Sequence, residues 1–113
     1  MKWIALFVFL PLPFAVSGQD QNVDLNTGKG LYSLCSKSAN ESPVEAGLCH
    51  GYIIGASDAY EQAGLIDRPV GTTNGRSIDV VKKYLTDHPA IRNQYSSVLV
   101  LRAMAEAFPP HKK

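Results

Sequence analysis

Apolar residues recur every three or four positions in four separate runs, a spacing that belongs to helices and not to half-buried strands. The first run, "TGKGLYSLCSK", places Leu31, Leu34 and Cys35 on one helical face, although its two glycines leave the start open. The second extends from Ser42 to Tyr60, "SPVEAGLCHGYIIGASDAY". Here Leu48, Cys49, Tyr52, Ile53 and Ala56 follow the helical period toward Tyr60 and Ala63. Ser42 followed by Glu45 is a capping box, Pro43 suits a first helical turn, and Gly64 is a helix stop. The third helix starts between Thr73 and Ser77, carries Ile78, Val81, Tyr84 and Leu85, and ends at His88 before Pro89. The fourth opens at Pro89 and runs through Ile91, Tyr95, Val98, Leu99, Arg102, Met104, Ala105 and Phe108 to Pro109-Pro110. Between the second and third helices, "GLIDRPVGTTNGR" has the glycine, proline and asparagine content of a loop. Only "SSVLVL" could be a strand, and its setting between helical patterns favours helix. The pattern predicts an all-α fold, a small bundle of about four helices.

The chain begins differently. Met1-Lys2 precedes the apolar run "WIALFVFLPLPFAV", and the small residues Ala15, Ser17 and Gly18 follow. A charged start, an apolar middle and a small-residue cleavage point make a secretory signal. Pro11 and Pro13 interrupt the run, which falls short of the ~20 apolar residues that a bilayer span needs. Residues 1–18 are therefore expected to be removed after Ser17 or Gly18, leaving one domain over 19–113 with no membrane attachment.

Export changes the meaning of the two cysteines, Cys35 and Cys49. In an oxidising compartment an even cysteine count favours a disulfide over free thiols. Such a bridge would tie the end of the first helix to the beginning of the second. Charge adds little, because without Lys2 the basic and acidic residues balance at ten each. A neutral chain has no general attraction to nucleic acid or to anionic membranes.

Three chemical readings compete for the second helix. Cys49, His50 and Asp58 are the residue types of a thiol catalyst. Neighbouring helix positions point about 100° apart, however, so His50 cannot easily reach the Cys49 sulfur. The spacing Cys35…Cys49-His50…His88 matches no compact zinc pattern, and His88 is better explained as a helix-end residue beside terminal carbonyls. No metal or cofactor is expected. The remaining feature is Gly51, Gly55 and Ala59, small residues every fourth position. Each glycine costs about 1 kcal/mol in a helix relative to alanine, which implies a helix packed closely there, from this chain, a second copy or another protein.

"GLYSLC", "GLCHGYIIGASDAY", "VVKKYLTDHP" and "AMAEAFP", in this order, resemble the Rap/Tai family over about Gly28 to Pro109. These are periplasmic immunity proteins that neutralise peptidoglycan amidase effectors of bacterial type VI secretion systems. The resemblance implies a periplasmic, non-enzymatic inhibitor that occludes the active site of a cognate amidase, with self-association as a homodimer. Family members often carry two further cysteines, at positions that look like Asp67 and Pro110 here, so the central loop is expected to be freer. That loop, with Leu65, Ile66, Arg68, Asn74 and Arg76, is the candidate partner-binding segment by composition. Arginine and apolar anchors on an exposed segment suit an inhibitor. The alternatives are a small periplasmic stress chaperone, with neither net charge nor an acid-sensing cluster in its favour, and a non-catalytic helical binding module.

Overall fold

The computed structural model describes residues 23–111, so the expected leader at 1–18 lies outside the described residues. Four α-helices follow one another: α1 (Gly28–Cys35), α2 (Pro43–Gln62), α3 (Asn74–Asp87) and α4 (Ser96–Ala107), with a short 3-10 turn at Pro89–Ile91. Each α-helix touches the other three, making an all-α bundle. Its core joins Leu31 of α1, Cys49 and Ile53 of α2, Val81 and Leu85 of α3, and Leu99, Val100 and Met104 of α4, all essentially without solvent contact.

Polar side chains decide where three of the helices begin. Thr27 Oγ1 accepts from Gly30 N at 3.2 Å, and Asp24 in turn accepts from the Thr27 hydroxyl. Thr73 Oγ1 accepts from Arg76 N at 3.1 Å at the start of α3. Ser42 Oγ accepts from Glu45 N at 3.4 Å, which is one arm of the anticipated capping box. The Ser42 N–H donates instead to Ser38 O at 3.0 Å, so it is already satisfied by the preceding turn. At the far end of α2, Gly64 adopts φ +74°, while Leu65 N donates to Tyr60 O and Gly64 N to Glu61 O. These are the paired bonds of a glycine-terminated helix.

The bridge between Cys35 and Cys49 is present, with Cα atoms 5.1 Å apart, and fixes α1 against α2 as a hairpin. Cys49 is fully buried and its sulfur is in the bond, so it offers no thiol nucleophile to the exposed His50. His88 lies at the end of α3. Its Nδ1 is 2.8 Å from Tyr84 O and its ring stacks on that of Tyr84 at 4.2 Å.

The fourth helix starts later than the apolar period implies, at Ser96 instead of Pro89. The segment before α1 pairs with the backbone there. Gly28 N donates to Gln94 O, Lys29 N to Arg92 O and Ser96 N to Asn26 O, and Thr27 forms an isolated bridge with Tyr95. Those bonds engage groups that a continuous helix would have used, and Tyr95 turns outward. Arg92 completes the junction: its guanidinium sits 3.7 Å over the Tyr32 ring and donates to Leu85 O and Thr86 O at the end of α3. Gly28 is buried at this crossing, where an added Cβ would come within 3.0 Å of Arg92 O and run into the Leu99 side chain.

Candidate functional site in the loop between α2 and α3

The loop from Ala63 to Thr73 is exposed at its tip and secured almost everywhere else. Ile66 enters the core at 2% exposure, and the next residue, Asp67, donates its N–H to Phe108 O at 3.1 Å. The Asp67 carboxylate also meets His111 Nδ1 at 2.8 Å, a solvent-exposed pair of small energetic weight. Asp67 and Pro110 are the positions expected to have lost a second bridge. The segments around them are nevertheless together, joined by backbone hydrogen bonding and apolar burial. Ile66 and the Asp67 backbone thus hold the base of the loop to the core and to the end of α4 with no second bridge.

Arg68 is the chief fastening. Its Nη2 donates to Asp58 Oδ1 at 2.7 Å and Glu61 Oε2 at 2.8 Å, and its Nη1 to Ser77 Oγ at 3.3 Å. Its backbone N–H donates to Glu61 Oε1 at 3.2 Å, so one carboxylate receives both backbone and side chain of the same residue. The Arg68 side chain retains only 10% of its exposure. One guanidinium thus joins the last turns of α2 to the first of α3. The hydrogen bond from Arg68 holds the Glu61 carboxyl below its ordinary value of 4.5, more than its partial desolvation raises it.

That shift fixes the sign of a pH effect. A carboxyl with a depressed folded-state pKa contributes stability above its unfolded value and loses it as pH falls through the folded value. Hydrogen exchange of amides 66–73 should therefore be flat from neutrality down to about pH 4.5 after correction for intrinsic exchange, then accelerate. Arg68→Met should accelerate exchange already at neutral pH and remove that acid step. An acid step that persists in Arg68→Met would assign it to other carboxyls.

Beyond Arg68 the chain makes a tight turn. Thr72 N and Thr72 Oγ1 both donate to Pro69 O, at 3.0 and 2.7 Å, and Gly71 has φ +91°. A positive φ at the third position of such a turn selects glycine. Val70 occupies the outer corner with no burial at all. A shallow concavity of about 290 Å³ runs beside it, formed by Glu61, Arg68, Pro69, Val70, Gly71, Thr72 and Asn74.

Of the five residues singled out by composition, Leu65, Ile66 and Arg68 lie in the loop, whereas Asn74 and Arg76 fall in the first turn of α3. Ile66 is a core residue and Arg68 an internal tie, so both support the loop from within instead of projecting from it. Leu65 and Asn74 are exposed, and Asn74 shares the concavity with Arg68. Arg76 lies on the rim of another groove, about 490 Å³, between α3 and α4 with Val80, Tyr84, His88 and Glu106. Composition passed over Val70 because a lone valine in a loop carries no chemical signal. The local clue was the order Pro69-Val70-Gly71, which sets a turn with valine at its corner.

Gly51, Gly55 and Ala59 form an exposed strip on α2. An added Cβ at Gly51 or Gly55 would meet nothing within 4 Å, so among the described residues no element of this chain packs into the strip. No group of three His, Cys, Asp or Glu side chains among the described residues converges as a metal site requires. No described helix is long and apolar enough to cross a membrane.

The family model of the Rap1a immunity proteins matches residues 27–110, which span all four helices and the loop, and the chain belongs to that family. No curated protein and no solved structure gives a significant match.

Proposed function

From membership of the Rap1a immunity family we propose that this protein is exported to the periplasm. There it binds a cognate type VI secretion effector, a peptidoglycan amidase, and blocks it by covering its active site. The family match carries the reading, and the form of the α2–α3 loop supports it. A blocking inhibitor must hold an exposed segment rigid before it meets its target, because ordering a loop on binding costs affinity. Ile66, Asp67 and Arg68 fasten this loop to the core, to the chain beyond α4 and to the ends of two helices. The protein performs no chemistry in this role. The Cys35–Cys49 bridge ties α1 to the N-terminal part of α2, at the other end of that helix from the loop.

Self-association fits the same scaffold. Tyr95 and Val98 are exposed at the start of α4, where the Tyr60 hydroxyl of α2 donates to Ser97 O at 2.6 Å. The small-residue strip on α2 leaves room for a second copy to approach.

A cell test decides the main reading. An amidase encoded beside this gene, directed to the periplasm, should lyse a sensitive host, and co-production of this protein should restore growth. A variant lacking the leader should not protect. Lysis undiminished by the full-length protein at equal abundance would contradict the proposed function.

A further inference from the structure

We infer that Val70 is the side chain by which the loop engages its partner, and that the partner receives it in a small apolar recess. The inference rests on the reading of this loop as the effector-facing surface. It goes further by naming the contact and its chemistry.

Four observations converge on Val70. Its relative exposure is 108%, so the fold gains nothing from its methyl groups. Two hydrogen bonds to Pro69 O close the turn beneath it, and Gly71 supplies the one positive φ that the turn needs. The corner is therefore held outward by backbone geometry, with a β-branched side chain of few rotamers. The chain neighbours Pro69, Gly71 and Thr72 are compact and uncharged, and the two charges of the adjoining concavity, Glu61 and Arg68, are already paired with each other, so a partner closing around the valine leaves no unpaired charge there.

The fourth observation is the orientation of the arginine. A cationic anchor aimed at an acidic cleft would be the ordinary expectation from "DRPVG". Arg68 instead points back into the domain, bound to two carboxylates and a buried serine. Withdrawing it would leave Asp58 and Glu61 without their shared partner. What the tip offers outward is a branched aliphatic group on a neutral turn. Its complement is an apolar recess, and Arg68 acts as a positioning residue through its bonds to Asp58, Glu61 and Ser77.

The test uses the mature full chain and the amidase encoded beside its gene, with affinity measured by calorimetry. Val70→Ala should weaken binding about tenfold and Val70→Asp at least a hundredfold, given the apolar burial of one valine and the desolvation of a carboxylate. Val70→Ile should stay within about threefold of wild type, as an apolar seat tolerates a similar shape. The alanine deficit should be unchanged between roughly 0.05 and 0.5 M salt, a range that would screen an exposed ionic contact. Hydrogen exchange over 66–73 should match wild type in the Val70 variants and rise in Arg68→Met, which separates contact from positioning. Wild-type binding with no loss in Val70→Ala and Val70→Asp overturns the inference and leaves the immunity reading standing. Absence of wild-type binding overturns that reading, and the inference with it.

Discussion

Replacing Cys35 and Cys49 together by serine should lower the unfolding free energy of the domain by about 3 kcal/mol, the value expected for releasing a loop of about 15 residues. For a domain of this size that is a fall in midpoint of roughly 15 °C. The effect is large because the bridge, spanning 14 residues of sequence, restricts the unfolded chain in a domain of small net stability. Leu31, Leu34 and Cys35 of α1 are buried in the same core as Cys49 and Ile53 of α2. Urea unfolding of the double variant, compared with the oxidised and reduced wild type, measures the difference. The double variant should be at least as destabilised as the reduced protein, because serine also puts hydroxyls at two buried positions. An unchanged midpoint in both would mean that packing alone secures the hairpin.

The glycines give the second large effect, with opposite signs at different positions. Gly28→Ala should destabilise by about 1–3 kcal/mol, because its Cβ would press on Leu99 and on the Arg92 backbone, and the backbone cannot give way. Gly51→Ala and Gly55→Ala should each stabilise the isolated protein by about 0.5–1 kcal/mol, since both sit in open space within α2. Thermal unfolding of the three single variants is enough to check the order. Equal destabilisation at all three would show that the α2 strip is packed in solution, and a concentration-dependent midpoint would identify a second copy as its partner.

These glycines also show what could be read in the sequence. A four-residue spacing of small residues is a visible pattern, so Gly51, Gly55 and Ala59 stood out. Gly28 looked only like an uncertain helix start. Its necessity comes from a non-local crossing, in which Asn26 to Lys29 pair with residues 92–96, and no local rule reports such a pairing. The same crossing explains why α4 begins at Ser96 when the apolar period continues back to Ile91. Helices α2 and α3 were legible almost to the residue, because Ser42, Gly64, Thr73 and Pro89 are local punctuation with local causes.

The loop was legible in place and less so in structure. Glycine and proline marked it, and the disulfide partners followed from the number of cysteines and the oxidising compartment that the expected leader implies. Side-chain direction was not. Arg68 resembles a free anchor until Asp58 and Glu61, a helix turn apart on α2, are seen to converge on it. Asp67 suggested a lost tether until the chain around Phe108 returned to the same place. In both cases the sequence names one partner of an interaction whose other half lies on a distant element. The outward position of Val70 is the residue of those inward bonds, visible only once they are known.

The most direct test of inhibition is a titration of the purified amidase, encoded beside this gene, with the mature protein while peptidoglycan cleavage is followed. Cleavage should fall stoichiometrically, with Val70→Asp shifting the curve to at least a hundredfold higher concentration, in line with a buried carboxylate at an apolar contact. Full cleavage in the presence of a large excess of folded, oxidised protein would contradict the proposed inhibition.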